Sequence, residues 1–334
     1  MLRFLTRRLT FMALTLLIVS MVIFAVTELL PGDVAVMIMG SEATDETLQT
    51  LRTQMGLDQP IFIQFFIYLA DLFKGDLGTS WQTTRPVLED LLLRFPATLE
   101  LVTLSLIVAV IVGVGLGIAS AVNPRGWVAR VSEFYGLSAG AMPDFWLGLV
   151  LIFVFYTLLG WAPAPLGRID LSVIPPIQVT GLYLIDTLLA GDMEAFRSSV
   201  THLILPVLTL GLINAGPILK MTQSTMEKML AADFSGYEEL CGLPQNIVTR
   251  HALRTALPSI VTIISVLYGY LIGGAVLVEI VFSWGGAGQY AVQGVLNSDL
   301  FPVLGFVLFS AIFSLLVYLL VDIIYFLVDP RISH

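Results

Sequence analysis

Long apolar runs separated by polar segments dominate the hydropathy pattern of this chain. An α-helix needs about 20 mostly apolar residues to cross a bilayer, and six runs reach that length. They are Leu9–Leu30, Leu99–Val122, Phe134–Leu159, Val200–Thr222, Pro258–Phe282 and Leu300–Val328. The strands of an outer-membrane barrel would instead alternate apolar and polar residues over about ten positions. The pattern therefore predicts an all-α polytopic membrane protein with six transmembrane helices.

The polar segments divide the chain into three predicted parts. Residues 1–30 form an N-terminal tail and the first span, residues 31–98 form an external segment, and residues 99–334 form a core membrane domain with a second external segment at 160–199. Local signals predict two short helices outside the spans: Thr44–Met55, capped by Thr44 or Asp45, and Leu182–Ala190. Ile61–Phe73 is too short to span, so we expect it to lie along the membrane surface or pack onto the helices.

Basic residues near the spans predict the orientation of the chain. Arg3, Arg7 and Arg8 precede the first run, and placing them in the cytoplasm puts ten of the 16 Lys and Arg residues inside. Both termini are then cytoplasmic, as an even number of spans requires. The first run, Leu9–Leu30, exceeds the about 7–15 apolar residues of a cleavable signal sequence, so we expect it to be retained as a helix.

The predicted cytoplasmic loop between the fourth and fifth spans contains a short helix. Ser235 and Glu238 have the spacing of a capping box, in which both side chains satisfy free amides at a helix start. Gly242 favours a left-handed C-terminal turn, and Pro244 prevents the helix from continuing. Two interpretations stay open at this point: a helix that only completes the connection, or a docking element that transmits a partner's movement into the two spans.

The composition excludes several classes of protein. Of 334 residues, 57% are apolar and 12% are charged, against about 25% charged residues in soluble domains. The net charge of −9 argues against a nucleic-acid partner, because phosphate contacts need basic residues. The single cysteine, Cys241, excludes an internal disulfide and a cysteine-clustered metal site. The sequence contains no P-loop, nucleophile elbow or zinc-protease motif, so we expect no catalytic residue, metal or cofactor in this chain.

Ionisable residues within or at the ends of spans are candidates for a solute or ion path, because charge at membrane depth is costly. Glu100, Asp144 and Glu279 occupy such positions, although each could instead sit near an interface or a helix terminus. Asn214 is a further candidate for the path, although its neighbours Gly211 and Gly216 favour close helix packing through small residues.

An ordered series of short motifs gives the chain a family resemblance over nearly its whole length. The series comprises Leu30–Asp33, Gly56–Pro60, Gly75–Ser80, Pro96–Leu101, Pro143–Gly148, His202–Pro206, Arg250–Arg254, Gly273–Val276 with Glu279, and Asp329–Arg331. With these motifs the chain resembles the first of the two permease types in bacterial ATP-binding-cassette (ABC) importers of the dipeptide, oligopeptide and nickel class. The resemblance implies the type I permease fold of these importers and a bacterial cytoplasmic (inner) membrane location.

The resemblance also implies a role for the cytoplasmic helix. In this family the loop before the fifth span carries a coupling helix that inserts into a cleft of a cytoplasmic ATPase, and Asp233–Leu243 matches it by position. The implied ATPase-coupling residues are Asp233, Phe234, Tyr237, Glu238, Glu239, Gly242 and Leu243. The small and basic residues usual in the family are replaced here by Tyr237, Glu238, Glu239, Leu240 and Cys241. Our hypothesis is therefore a complementary basic or differently shaped cleft on the ATPase.

The implied partners are a second homologous permease, two ATP-binding subunits or domains, an extracytoplasmic solute-binding protein and membrane lipid. ATP and Mg would be bound by the partner subunits, and the external segments would receive the solute-binding protein. An ion-gradient-driven secondary transporter and an integral-membrane enzyme are the alternatives. The first would need internal repeats and buried ionisable pairs, the second a catalytic constellation, and the sequence contains no clear example of either. It does not identify the solute.

Overall fold

A computed structural model describes residues 2–29, 44–54 and 58–328 of the chain. Within these ranges the backbone is helical or irregular, apart from an isolated β-bridge between Thr79 and Pro86. The motifs at Leu30–Asp33 and Asp329–Arg331, and the first two residues of Gly56–Pro60, lie outside the described residues. The helices, numbered in chain order, are α1 (Leu2–Leu29), α2 (Asp45–Gln54), α3 (Ile61–Phe73), α4 (Val87–Val122), α5 (Trp127–Ala141), α6 (Asp144–Leu151), α7 (Tyr183–Ala190), α8 (Met193–Leu230), α9 (Asp233–Leu240), α10 (Gln245–Gly274), α11 (Val276–Val281), α12 (Ala287–Leu296) and α13 (Leu300–Val328).

Five of the predicted spans correspond to single long helices. The apolar stretches lie at Thr6–Thr27 in α1, Leu300–Ile323 in α13, and within α4, α8 and α10. The short helices α2 and α7 also form where the sequence predicted them, and the Thr47 amide donates to the Thr44 hydroxyl at 3.4 Å, the capping contact expected of Thr44. The apolar run Ile61–Phe73 is also helical, as α3. The prediction of an all-α polytopic membrane protein is therefore confirmed.

The third predicted span, Phe134–Leu159, is not one continuous helix. It consists of α5 and α6 bent by 108°, and α6 continues into a π-helical segment, Ile152–Leu158. The break falls at Met142 and Pro143. Proline disfavours the helical conformation of the residue before it, and Met142 accordingly has an extended backbone with φ −94° and ψ 133°. The chain thus has five single helices long enough to cross a membrane among the described residues, or six spans if the bent pair counts as one.

The fifth predicted span, Pro258–Phe282, also differs from the structure. The helix α10 begins earlier, directly after Pro244, and ends at Gly274. Residues Val276–Val281 form the separate short helix α11, and the chain turns at Ser283, which has a positive φ of 51°. The segment that carries Glu279 therefore lies beyond the long helix instead of inside it.

The chain forms two compact units. One comprises the residues up to Leu93 together with Tyr290–Leu315, and the other comprises Arg94–Gln289 together with the chain from Leu316 onward. In the first unit, Asp299 accepts a hydrogen bond from the Ser80 hydroxyl at 2.6 Å. Asp90 accepts hydrogen bonds from the hydroxyls of Thr83 and Tyr290 at 2.6 and 3.0 Å. Both carboxylates are almost completely buried, and they fix the segment around residues 80–84.

The second unit is built around the long helix α8. Glycines let its neighbours approach closely, since a Cβ on Gly113 or Gly117 of α4 would lie 2.7 Å from Ile218 or 2.6 Å from Thr222 of α8. Further along α8, a Cβ on Gly211 would lie 2.9 Å from Val108. Close contact through small residues is the usual way that helices associate where lipid removes the hydrophobic driving force. The packing role expected of Gly211 and Gly216 is confirmed, since a Cβ on Gly216 would lie 3.1 Å from Ala139 of α5, whereas a Cβ on Gly115 would meet no atom within 4 Å.

We predict that Gly117→Ala lowers the melting temperature of the purified protein in detergent. The added Cβ has no room beside Thr222, and overpacking of this kind typically costs about 1–3 kcal/mol. The control is Gly115→Ala on the same helix, which fills open space and should leave the melting temperature unchanged or slightly raised, because alanine is the better helix former. Equal melting temperatures for the two variants would contradict the packing argument.

Candidate functional site

The short helix α9 connects the two longest neighbouring helices of the second unit. It begins at Asp233, just after α8 ends at Leu230, and α10 begins at Gln245. At its C-terminal end the Gly242 amide donates to the Glu239 carbonyl at 2.9 Å and the Leu243 amide donates to the Glu238 carbonyl at 3.1 Å. These two bonds form a Schellman motif, for which Gly242 has the required positive φ of 80°. The predicted C-terminal turn at Gly242 is confirmed.

The predicted capping box at the start of this helix is wrong. The helix starts two residues before Ser235, its N-cap is Ala232, and that residue makes no side-chain capping bond. Ser235 is instead buried, with its hydroxyl donating to the Met229 carbonyl at 2.8 Å. Glu238 turns toward α10. Tertiary contacts to both neighbouring helices have therefore replaced the local capping that the spacing suggested.

One side of α9 is apolar and exposed. Tyr237 is 69% exposed and Leu240 is 89% exposed, while Phe234 and Leu243, three residues away on either side, are also exposed. Steps of three residues keep Phe234, Tyr237 and Leu240 within about 120° around the helix axis, and Leu243 follows in the turn beyond the end of the helix. Asp233 and Glu239 are exposed beside them. A cluster of exposed large apolar side chains with polar neighbours is typical of a protein interaction surface.

The other side of α9 is fixed to α10. The Glu238 carboxylate lies 2.7 Å from Nδ1 of His251, and the side chain of Glu238 is 19% exposed. Below this contact, Met226 of α8 packs with Ala252, Ala256 and Ile260 of α10 in one buried cluster. The helix is thus joined to α8 by a short turn and a buried serine, and to α10 by the Glu238–His251 contact.

A second group of polar side chains surrounds Arg168 in the same unit. Its guanidinium donates to Glu100 at 2.6 Å and to the Gly181 carbonyl at 3.0 Å, and it lies 3.6 Å from the centre of the Tyr183 ring. The Leu184 amide donates to the other oxygen of Glu100 at 2.8 Å. Both charged side chains are buried, at 10% exposure for Arg168 and 4% for Glu100. This ion pair holds the segment between α6 and α8 against α4.

Glu279 lies next to that pair and is completely buried. Its carboxylate accepts hydrogen bonds from the Thr98 hydroxyl at 2.5 Å and the Gln289 amide at 2.8 Å, and Arg168 is near enough to interact with its charge. The Ala287 amide donates in turn to the Thr98 hydroxyl at 3.0 Å. A buried carboxylate needs such donors to offset its lost hydration. These bonds fix the loop between α11 and α12 onto α4.

The structure therefore brings two of the four predicted path residues together, Glu100 and Glu279. Asn214 is buried in α8, where its amide donates to the Leu210 carbonyl of the same helix at 2.8 Å. Asp144 is half-buried in the first turn of α6, directly after the bend. Neither side chain hydrogen-bonds to the Arg168 group. A role of these four residues in solute passage stays a prediction.

Sequence reasoning missed Arg168 and His251. Arg168 stands 68 residues from Glu100 along the chain, so spacing gave no link between them. The available signal was the carboxylate at the start of a long apolar run, since a buried acid requires a cation or several donors nearby. His251 contacts Glu238 from 13 residues further along the chain, and no short-range spacing indicated that contact.

A third carboxylate, Asp186, shapes the turn that precedes α7. It is 1% exposed and accepts hydrogen bonds from the amides of Val179, Thr180 and Gly181 and from the Thr180 hydroxyl. Burial by itself would raise the pKa of this carboxyl, but the hydrogen bonds outweigh it and lower the pKa below its ordinary value of 3.8. Gly181 has a positive φ of 77°, and a Cβ there would lie 2.8 Å from Pro96 of α4. The turn is therefore held rigidly on α4.

No group of three or more histidine, cysteine, aspartate or glutamate side chains is placed to hold a metal ion in the described part of the chain.

Comparison with known proteins adds a family to this geometry. Residues 113–334 match the family described as binding-protein-dependent transport system inner membrane component, and residues 1–102 match the N-terminal part of such membrane components. The chain is 41% identical to the probable D,D-dipeptide transport system permease protein of Escherichia coli, over 95% of this chain and 93% of that protein. It is 37% identical to the dipeptide transport system permease protein of Alkalihalophilus pseudofirmus and 34% identical to the glutathione transport system permease protein of Salmonella choleraesuis, each over the full length of both chains.

We predict that Arg168→Met destabilises the transporter. Removing one partner of a buried ion pair leaves the other charge uncompensated, which costs about 3–5 kcal/mol. The melting temperature of the purified protein should be clearly lower for Arg168→Met than for the unchanged protein. The control is Arg197→Met, which removes an exposed cation from the same external segment and should have little effect. An equal fall in melting temperature for both variants would mean that the buried ion pair does not contribute more to stability than an exposed cation does.

We predict that the contribution of Asp186 to stability depends on pH. Because its folded pKa is below its unfolded pKa, the stabilisation is complete above about pH 4 and is lost as the pH falls through the folded pKa. Asp186→Asn should therefore melt at a lower temperature than the native protein at pH 7, and the difference should shrink at pH 3. The exposed acid Glu194, changed to Gln, is the control. A difference that stays constant between the two pH values would contradict the assignment.

Proposed function

The chain belongs to the family of binding-protein-dependent transport system inner membrane components, and on that basis we propose that it conducts peptides or a related small solute in an importer coupled to ATPases through α9. It is a permease subunit of a binding-protein-dependent ABC importer, a multi-pass protein of the inner membrane. It is not an enzyme, since ATP hydrolysis belongs to the partner ATPases. The relatives named for dipeptides and glutathione support a peptide-like solute for this chain.

The proposal assigns α9, with the turn that follows to Leu243, as the helix that docks into the ATPase. The observation that carries it is the exposed apolar surface of Phe234, Tyr237 and Leu240, continued by Leu243 in the next turn, on a helix joined at both ends to long membrane helices. A rigid helix between α8 and α10 would pass a displacement of the ATPase into both. Coupling of this kind requires that the helix bundle has two arrangements. The ATPase and the solute must each stabilise these two arrangements to different extents.

The structure refines the expected contact with a basic cleft. Glu238 contacts His251 within the chain, whereas Glu239 is exposed beside the apolar side. Under the proposal, Glu239 is the carboxylate that meets a basic residue of the ATPase. Glu238 instead keeps α9 aligned with α10.

The proposed assembly contains a second homologous permease, two ATP-binding subunits or domains that hold ATP and Mg, and an extracytoplasmic solute-binding protein. The external segments at 31–98 and 160–199 would receive that binding protein. The buried pair Glu100–Arg168 and the turn at Asp186 support this role for the second segment, because they hold it in a defined position on α4. Glu100, Asp144, Asn214 and Glu279 remain proposed contributors to the passage, and the division into residues 1–30, 31–98 and 99–334 remains our domain proposal.

We predict that Leu240→Asp uncouples the transporter. A new charge at the centre of an apolar contact should weaken the free energy of binding to the ATPase by about 2 kcal/mol or more. This change corresponds to about a 30-fold loss of affinity. Copurification of the ATPase and solute uptake in proteoliposomes should both fall sharply, while the amount of folded permease in the membrane stays constant.

The control for this experiment is Leu189→Asp, which places the same charge on an exposed leucine of the external helix α7 and should leave ATPase copurification intact. Normal copurification and uptake for Leu240→Asp would contradict the docking assignment. In the same assay, Glu239→Lys should weaken copurification of the ATPase. Unaltered copurification for this variant would argue against a basic cleft.

A further inference from the structure

The amphipathic helix α3 packs with one side on the end of the first membrane span. The ring of Phe24 lies 5.3 Å from the ring of Phe65 and 5.8 Å from that of Tyr68, measured between ring centres. Phe24 is three residues from the end of the apolar stretch Thr6–Thr27. This contact places α3 at the level where the first span leaves the bilayer.

A different side of α3 carries three exposed phenylalanines. Phe62 is 77% exposed, Phe66 is 68% exposed and Phe73 is 91% exposed. At about 100° per residue, Phe66 and Phe73 lie within about 40° of Phe62 around the helix axis. Gln64 and Asp71 lie roughly opposite, about 160–180° away, by the same arithmetic. The helix therefore has an aromatic stripe and a polar side, with the contact to α1 between them.

Near its contact with α3, the first membrane span exposes apolar side chains. The last turns of α1 expose Met21 and Val22, at 62% and 57%, and these belong to a membrane span of an inner-membrane protein. The 13 residues of α3 are about 20 Å long, too short to cross the hydrocarbon core. A short helix with an apolar stripe and a polar side, held at the bilayer surface, has the features of an interfacial helix.

We propose that α3 lies in the membrane interface and inserts the Phe62–Phe66–Phe73 stripe into the lipid of one leaflet, the external leaflet in the predicted orientation. The partner of this surface is the lipid bilayer. The expectation that Ile61–Phe73 lies along the membrane surface or packs onto the helices is thereby made specific, because α3 does both with different sides. The stripe is then closed to the solute-binding protein, which leaves only the polar side of α3 open to water.

The test uses nitroxide spin labels on single cysteines in the complete transporter, reconstituted in lipid nanodiscs, with Cys241→Ser as background. One label replaces Phe66 on the stripe and a matched label replaces Gln64 on the polar side. Collision with oxygen, which dissolves in lipid, and with a water-soluble nickel chelate measures the surroundings of each label. The label at Phe66 should have an oxygen-to-nickel accessibility ratio several-fold higher than the label at Gln64, and a label at Phe73 should match that at Phe66.

Three results would overturn the proposal. Equally low ratios at positions 66 and 64 would mean that the stripe faces water. Protection of the label at 66 from both reagents would mean that protein covers the stripe. Immobilisation of that label when the solute-binding protein is added would identify the binding protein as its partner. Stimulation of ATPase activity by the binding protein, measured for each labelled sample, verifies that the transporter is folded.

Discussion

Close contact between α8 and its neighbours is the constraint on which the second unit depends. Helices in lipid cannot gain stability by leaving water, so they must fit each other closely, and small residues allow that fit. Gly113 and Gly117 of α4 meet α8 where a side chain would clash, and Gly216 of α8 lies where a Cβ would be 3.1 Å from Ala139 of α5. Packed in this way, α8 cannot shift alone. A force applied where α8 meets α9 must reach its neighbours as well, which suits a subunit whose work is mechanical.

The buried charges near the beginning of α4 compensate one another as a group. Arg168 interacts with Glu100 and lies near Glu279, while backbone amides and the Thr98 hydroxyl supply the remaining donors. Such a group is expensive to build, because each charge loses its hydration, and it is sensitive to the loss of any member. It fixes three separate stretches of chain to the beginning of α4: the turn at Gly181, the start of α7 and the loop after α11. The segment proposed to meet the solute-binding protein is thus attached directly to a membrane helix.

Features that depend on local chemistry or on length could be predicted from the sequence. The apolar runs predicted the long helices, Thr44 predicted the start of α2, and Gly242 predicted the end of α9. Features that depend on partners distant along the chain could not be predicted from the sequence. The run Phe134–Leu159 is apolar throughout except for a few residues, so composition concealed the 108° bend at Pro143. Ser235 and Glu238 have the spacing of a capping box, but Met229 and His251 offered better partners, and only the fold brings them close.

The bend between α5 and α6 has a consequence for where this part of the chain can sit. A break in a helix leaves backbone carbonyls and amides without the hydrogen bonds of the regular helix. The hydrocarbon core contains no donors or acceptors that could replace those bonds. At this break the Met142 amide still reaches the Ser138 carbonyl, but Pro143 has no amide to offer and the regular pattern stops there. In the assembled transporter, residues 142–143 must therefore meet water, lipid headgroups or another polypeptide. The bend therefore limits the depth at which this part of the chain can lie, because it cannot occupy the hydrocarbon core of the bilayer unless water or protein covers it.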